Sequence, residues 1–290
     1  MTRRARALLL AAALLVAGCN ATRVAYENAD TLLRWRVASY VNVRAEQAEA
    51  LDRDIARLLA WHRTYALPQY SRLAEESATR MARGLSREDL FWGYDSLRAQ
   101  LRESALAAAA QAADLLDRLS PGQIAYLQER LHEDNRKFAK EQLAGTPKER
   151  RARRCERDLA RLEDWLGALT DEQTELVRQY SERVPLELDE LRDRRRRRLQ
   201  AEFMDIVRAR QAKGRLAGFA AKIVPPSDDA LDPAYAGALR AATATYFDML
   251  LELDRGLTPR QRSRAVARLR SLASDFSQLA QAGAGAGGAQ

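Results

Sequence analysis

Residues that could carry out catalysis are few in this chain of 290 residues. His62 and His132 are the only histidines, and Cys155 is the only cysteine after position 19. The segment His132-Glu133-Asp134-Asn135-Arg136 begins like a zinc-protease helix, but arginine stands where the second histidine ligand is required. His62 lies on an apolar stripe and is interpreted as a histidine at the edge of the core. A metal site that joins both histidines, Cys155 and nearby carboxylates stays as an alternative.

No other string of residues predicts catalysis. The chain has no G-x-S-x-G nucleophile turn, no phosphate-binding loop of the Walker type and no G-x-G-x-x-G dinucleotide motif. Its carboxylates are numerous, but on helices they are mostly solvated or paired one turn away. We therefore predict no catalytic residue, no metal ligand and no cofactor apart from a covalent lipid.

A basic run occupies residues 192–198, where six of seven residues are arginine. Consecutive helical residues are 100° apart, so five arginines in a row cover the whole circumference and Arg195 falls on the apolar stripe. Arg195 must then be paired, reach out along its aliphatic stem, or lie where the helix leaves the body. The run is either a solvated face or a site for anionic phospholipids, lipid A phosphates or acidic polypeptides. The candidate contact residues are Arg192, Arg194, Arg196, Arg197 and Arg198.

All four tryptophans lie in amphipathic stretches, where they either pack in the core or line a groove for a client protein. They are Trp35, Trp61, Trp92 and Trp165.

The elements that position these residues are predicted to be helices. Charged residues make up 30% of the chain, which has only 14 glycines and 8 prolines. Apolar residues recur every three or four positions, as in the long stripe from Leu90 to Leu119, and no segment alternates as a strand would. We predict an all-α fold, a single elongated multi-helix bundle of about eight or nine amphipathic helices. The stripe through Ala105, Ala108 and Ala112 either admits a close neighbouring helix or reflects helix propensity alone.

The first residues are typical of an export signal. Three arginines at positions 3, 4 and 6 precede an unbroken apolar run of eleven residues, 7–17. That length fits the roughly 7–15 residues of a signal peptide and is too short to span a bilayer. No later segment has the 18 or so apolar residues in a row that a membrane-spanning helix needs.

The signal ends in Leu15-Val16-Ala17-Gly18-Cys19, which resembles the lipobox of bacterial lipoproteins. The resemblance implies cleavage before Cys19 and acylation of that cysteine, palmitate being one of the chains. Several buried chains hold a protein on a membrane stably. Asn20 stands where an aspartate would retain a lipoprotein at the inner membrane. The expected location is therefore the outer membrane, on its periplasmic face.

Removal of residues 1–18 takes away three arginines and no acidic residue, which leaves a net charge of about +5. A bias this small in an exported protein excludes nucleic acid as the expected partner. With Cys19 acylated, Cys155 has no partner for an internal disulfide. Stability must therefore come from packing.

A short pattern, L-[ST]-x-x-Q, recurs at the predicted helix starts at 119–123, 169–173 and 257–261. Ser86 begins a variant, and residues 43–47 form a poorer copy without the hydroxyl. The serine or threonine accepts a bond from the backbone N–H three residues on, and the glutamine reaches back to the cap N–H. The pattern also resembles the motif of periplasmic helical chaperones of the Spy/CpxP type.

Breaks between helices are expected at Pro68, Gly84, 145–147, Pro185 and 224–232. The predicted organisation is a signal peptide at 1–18, a lipidated cysteine and tether at 19–23, a helical domain at 24–282 and a flexible tail at 283–290. A sub-boundary at 224–232 would set off a last helical pair near 233–254 and 258–281.

Several segments together resemble an uncharacterised family of proteobacterial, all-helical lipoproteins. They are Ala25-Tyr26-Glu27-Asn28, Leu58-Leu59-Ala60-Trp61-His62-Arg63 with Leu67-Pro68-Gln69-Tyr70, Leu119-Ser120-Pro121-Gly122-Gln123-Ile124, and Trp165-Leu166-Gly167-Ala168-Leu169-Thr170. The chain departs from the family at residues 43–47, where an L-T-P-E-Q-like start is expected. The resemblance implies a location and a fold, and no activity.

These observations favour a non-enzymatic envelope lipoprotein whose helical body binds a partner or has a structural role. Its partners would be the membrane, through the lipid anchor, and a protein client or an anionic envelope component. A membrane-tethered chaperone of Spy/CpxP character is the first alternative, and a metal-dependent enzyme is the second.

Overall fold

In a computed structural model, residues 23–286 are described, with side chains described through residue 282. This part of the chain is helical, without strands, as predicted. The predicted signal peptide, Cys19 and the tether up to residue 22 lie outside the described residues. The helices of twelve residues or more are α1 Ala29–Val41, α2 Ala45–Trp61, α3 Leu67–Arg83, α4 Arg87–Asp117, α5 Pro121–Phe138, α6 Pro147–Leu166, α7 Asp171–Arg183, α8 Glu187–Arg208, α9 Ala212–Ile223, α10 Pro233–Arg255 and α11 Pro259–Ala286.

Within residues 23–286 there are thus eleven such helices, and the predicted eight or nine was too low. The break between α8 and α9 shows why, since it contains neither glycine nor proline. Arg210 takes a left-handed φ of 54° there, which is uncommon for arginine. The carboxylate of Asp117, at the end of α4, accepts bonds from the N–H groups of Ala212 and Lys213. A cap supplied by a distant helix leaves no local signal.

The two predicted proline breaks differ in outcome. Pro185 lies between α7 and α8, as expected. At Pro68 the prediction was wrong, because the chain stays helical from α2 through a π-helical turn at His62–Ala66 into α3. The proline falls in the first turn of α3, where its missing N–H costs little.

Two antiparallel helix pairs connect distant parts of the chain. The two most extensive contacts among the described helices are those of α11 with α3 and of α9 with α4. The Ser71 hydroxyl donates to the Ala273 carbonyl at 2.7 Å, and Arg262 donates to the Met81 carbonyl at 2.7 Å. The last helical pair, α10 and α11, is therefore joined to the first half of the chain. The loop before it is held by Arg98, which donates to the Pro225 carbonyl at 2.9 Å.

The recurring helix-start pattern forms capping boxes, as predicted. At α7, Gln173 N donates to Thr170 Oγ1 at 3.3 Å and Thr170 N donates to Gln173 Oε1 at 3.1 Å. The same exchange occurs at Ser120 and at Thr258. At Arg44 only half of it forms, since a guanidinium has no acceptor.

The capping glutamines also meet in pairs, which the sequence did not predict. Gln173 and Gln261 each donate to the other's side-chain oxygen, at 2.9 and 2.8 Å, and both are buried. Gln47 and Gln123 do the same at 3.3 and 2.7 Å. Two pairs of helix N-termini, distant in sequence, are thereby joined.

Candidate functional site

An apolar cavity of about 520 Å³ lies between α1, α2, α4, α5, α8 and α9. Its volume is within the range of roughly 300–1,000 Å³ that is typical of ligand sites. Aliphatic and aromatic side chains form nearly all of its wall, with a few polar groups such as Arg36, Asp54 and Gln111. The space is partly open to solvent, and its wall has few polar groups that could hold ordered water. The space is suited to an apolar group.

The alanine-rich face of α4 creates this cavity. Ala105, Ala108, Ala109 and Ala112 all line it, and α9 packs along the same helix. The extensive contact between α9 and α4 favours close approach of a neighbouring helix, one of the two interpretations of this stripe. The small alanine side chains allow α9 to pack against α4 on one side and leave the space of the cavity on the other.

The N-terminal half of the same stripe behaves differently. Leu97 and Leu101 are 50% and 49% exposed, although the sequence pattern predicts burial. On α4, Leu101 lies one turn before Ala105 and Leu97 lies two turns before it. They are near the end of α9 at Ile223, which is itself exposed. The apolar surface of α4 therefore extends from the cavity toward the solvent.

A second depression, also about 520 Å³, adjoins the cavity and is lined by Arg192, Arg195 and Arg196 together with Tyr235. Phe203, Phe219 and Ile223 line both spaces. The rings of Phe203 and Phe219 stack, with centroids 5.6 Å apart. The apolar cavity and the arginine-lined depression thus share one aromatic wall.

Arg195 is the arginine on the apolar stripe, and the structure accounts for its position. Its Nη2 donates to the carbonyls of Lys222 and Ile223, at 2.6 and 3.1 Å, so it caps the C-terminus of α9. Its guanidinium lies 5.4 Å from the centre of the Tyr235 ring. Of the alternatives that the sequence left open, Arg195 is paired. Arg195 was not among the contact residues predicted from the sequence, so its place in the depression was missed.

The five predicted contact arginines are not brought to one surface. Arg192 and Arg196 line the depression beside the cavity. Arg197 lies on another face of α8, where it lines a smaller space of about 260 Å³ together with His132 of α5. Arg194 and Arg198 line neither space. The run encircles the helix, as its 100° spacing requires.

Intramolecular contacts already use part of this positive charge. Arg196 donates through Nε and Nη2 to Asn135 Oδ1, at 3.0 and 2.6 Å, and Arg197 donates to Asp193 at 2.7 Å. Arg192 Nη1 donates to Asp189 Oδ1 at 3.3 Å. In the part of the chain with described side chains, Arg198 has no hydrogen bond or ion pair.

Two arginines of α6 fix the start of α8 and so position its basic segment. Arg154 is buried and donates to the Val184 carbonyl at 3.0 Å and to Asp189 Oδ2 at 2.8 Å. Arg150 donates to the Leu186 carbonyl at 3.1 Å. The polar groups freed where Pro185 interrupts the helix are therefore bound by a neighbouring helix.

The four tryptophans do not converge, and none of them lines the cavity. Trp35 is 66% exposed on α1. Trp61 stacks on Tyr65 with centroids 5.4 Å apart. Trp92 and Trp165 are each covered by an arginine, with distances of 4.0 and 4.5 Å from guanidinium carbon to ring centre.

The histidines and Cys155 lie in three separate environments. His62 Nδ1 is 2.9 Å from the Tyr26 hydroxyl, and burial lowers its pKa below the usual value. His132 is exposed on α5, and Cys155 contacts an apolar cluster on α6. Across the residues with described positions, no group of three histidine, cysteine or carboxylate side chains could hold a metal ion.

Among the described helices, none is long and apolar enough to cross a membrane. Cys19 lies outside this part of the chain, and its acylation stays a prediction.

The fold is thus all-α, with an apolar cavity between its helices and an arginine-lined depression beside that cavity. The chain belongs to DUF6279, a family of unknown function, whose model matches residues 39–222. The match covers more than half of the chain and runs from the end of α1 to the end of α9, which includes most of the cavity wall. Membership of an uncharacterised family is therefore confirmed. No curated protein and no solved structure matches the chain.

Proposed function

We propose that this protein is a lipid-anchored, non-enzymatic binding protein of the bacterial cell envelope, and that its helical body holds an apolar ligand in the cavity beside α4. The proposed anchor is acylated Cys19, and the proposed location is the periplasmic face of the outer membrane. The observation that carries the binding role is the size and composition of the cavity wall.

The proposal does not depend on the likeness to Spy/CpxP chaperones. In this chain the glutamine of the L-[ST]-x-x-Q pattern is engaged in capping and in pairing helix starts, as Gln173 and Gln261 illustrate. Helix capping therefore accounts for the recurrence of the motif.

The anchor is tested by labelling growing cells with radioactive palmitate. We expect the wild-type chain to incorporate label and Cys19→Ser to incorporate none, because acylation requires the thiol at the cleavage site. Cys155→Ser is the matched control and should be labelled like the wild type, since that thiol contacts an apolar cluster inside the body. Label that persists in Cys19→Ser would refute the anchor.

The cavity is tested with the uncharged fluorophore diphenylhexatriene and the soluble chain that begins at Asn20. Ala108→Phe places a ring in the cavity and should weaken binding of the fluorophore at least tenfold, measured by fluorescence titration. Ala110→Phe is the control, because Ala110 is exposed on the same helix and does not line the cavity. Equal affinity in the two variants would remove the cavity as the binding site.

A further inference from the structure

The arginine-lined depression shares part of its wall with the apolar cavity, and we infer that the two together bind a single acyl chain that carries an anionic headgroup. The inference rests on the proposed function, since it names the ligand class of the same cavity. The chain would lie along the alanine face of α4, and the headgroup would contact Arg195 and Arg192.

The path between the two spaces is the first ground for this inference. Phe203, Phe219 and Ile223 line both, so a linear molecule can contact the shared wall from either side. The two aromatic residues are stacked at 5.6 Å, which presents ring faces and edges to an aliphatic chain. Ile223 is exposed, and the wall therefore extends to the protein surface.

The charge at the end of this path is the second ground. The depression is lined by three arginines and by no carboxylate. Arg195 uses Nη2 for the end of α9, while its Nε and Nη1 have no hydrogen bond to any described side chain or backbone group. A guanidinium offers donors in a planar fork that matches carboxylate and phosphate oxygens. Arg192 adds a second cation, and its one carboxylate partner, Asp189, is shared with Arg150 and Arg154.

The shape of the whole site favours one chain with a compact head. The apolar part has almost no polar wall, so each methylene buried there raises the affinity roughly fourfold. Apart from Arg36 and Asp54 on the wall of the cavity, the charged groups of the site are the three arginines of the depression, so the ligand should be apolar along its length and anionic at the end that meets them. Fatty acids and lysophosphatidic acid share this chemistry.

The test is photo-crosslinking on isolated cell envelopes that contain the full chain. Three probes have the same sixteen-carbon chain with a diazirine near its end: palmitic acid, the corresponding lysophosphatidic acid and the uncharged alcohol. Trypsin releases residues 103–118, which carry the cavity-lining alanines, as one peptide between Arg102 and Arg118. The label on this peptide is quantified by mass spectrometry.

We expect at least one anionic probe to label the peptide five times more than the alcohol does. Arg195→Gln should reduce anionic labelling to the level of the alcohol, and Arg195→Lys should retain only part of it, because lysine keeps the charge but lacks the planar fork. Arg192→Gln, an exposed residue without a capping role, should reduce anionic labelling by two- to threefold. Arg198→Gln is the matched control on the same helix and should change nothing.

The outcomes separate this inference from the proposed function. If no probe labels the peptide, the cavity does not bind chains and both fail. If the alcohol labels as strongly as the acids, and neither Arg195→Gln nor Arg192→Gln has an effect, the headgroup assignment is overturned while the apolar cavity stands. Preference for palmitic acid over lysophosphatidic acid, or the reverse, identifies the headgroup.

Discussion

Replacement of Arg154 by methionine is expected to lower the free energy of unfolding by about 3 kcal/mol, one of the largest single-site effects in this protein. Arg154 is only 8% exposed, and its guanidinium bonds both a carboxylate and a backbone carbonyl. Methionine fills a similar volume but donates nothing, so the Val184 carbonyl and Asp189 lose their bonds in a buried place.

The other arginines near Asp189 set the size of this effect. Arg150 Nη2 lies 3.6 Å from Asp189 Oδ2, and Arg192 Nη1 lies 3.3 Å from Asp189 Oδ1. These two arginines still neutralise part of the Asp189 charge after the substitution. The decrease in the free energy of unfolding should therefore lie at the low end of the roughly 3–5 kcal/mol range for a broken buried pair. Urea unfolding of the chain from Asn20 onward measures it.

Arg157→Met on the same helix is the control, because Arg157 is exposed and bonds only the side chain of Gln142. It should cost less than about 0.5 kcal/mol. A loss in Arg154→Met no larger than in this control would show that α6 does not hold the start of α8. Loss of this contact should also affect binding by the arginine-lined depression, since Asp189 lies one turn before Arg192 and nearly two turns before Arg195.

Sequence patterns that involve residues close together in the chain predicted many of the helices in this fold. Serine or threonine followed by glutamine gave the starts of α5, α7 and α11, and Pro185 marks the interruption before α8. These features depend on residues within four positions of each other. Apolar periodicity likewise identifies helices, because amphipathic burial repeats every 3.6 residues.

Features that depend on distant residues were not predictable in the same way. The end of α8 has a left-handed arginine and is followed by a cap from Asp117, nearly a hundred residues earlier. The cavity is the space that Ala108 and the neighbouring alanines leave between α4 and the helices around it. Those helices are distant in sequence, so only the tertiary structure shows the space. The sequence places the charge of Arg195 on an apolar stripe but does not identify its partners, which are backbone carbonyls at the end of α9.

The pairing of Gln173 with Gln261 leads to the second large expected effect. Gln261→Leu should lower the free energy of unfolding by about 3 kcal/mol, because several buried bonds are lost at once. The Gln261 amide donates to Gln173 Oε1 and to the Ala168 carbonyl at 3.0 Å. Its oxygen accepts from Gln173 Nε2 and from the Thr258 N–H at 3.0 Å. Leucine matches the volume but satisfies none of these groups.

A double-mutant cycle with Gln173→Leu isolates the interaction between the two amides. Each single variant leaves the other glutamine with its backbone partners but with one amide N–H and one oxygen lone pair unpaired, whereas the double variant replaces both amides by apolar groups. The double variant should therefore cost less than the sum of the singles by at least about 1 kcal/mol. Gln179→Leu is the control, since Gln179 is exposed on α7 and bonds Glu175 one turn away. Strict additivity would show that the glutamines act only as separate caps.

Electrostatics gives a reason why glutamine suits this place. The N-termini of α7 and α11 both carry partial positive charge, so their approach is unfavourable unless acceptors lie between them. The two side-chain oxygens serve both the cap N–H groups and the opposite amide, and each amide nitrogen reaches a carbonyl before the other helix, Ala168 or Gly256. Glutamate could accept at the cap but could not donate across the pair. Gln261→Glu should therefore lower the free energy of unfolding at neutral pH, because the donors lost by Gln173 Oε1 and the Ala168 carbonyl outweigh the favourable interaction of a carboxylate with two helix N-termini. The loss should be smaller at acid pH, where a protonated carboxyl can donate once.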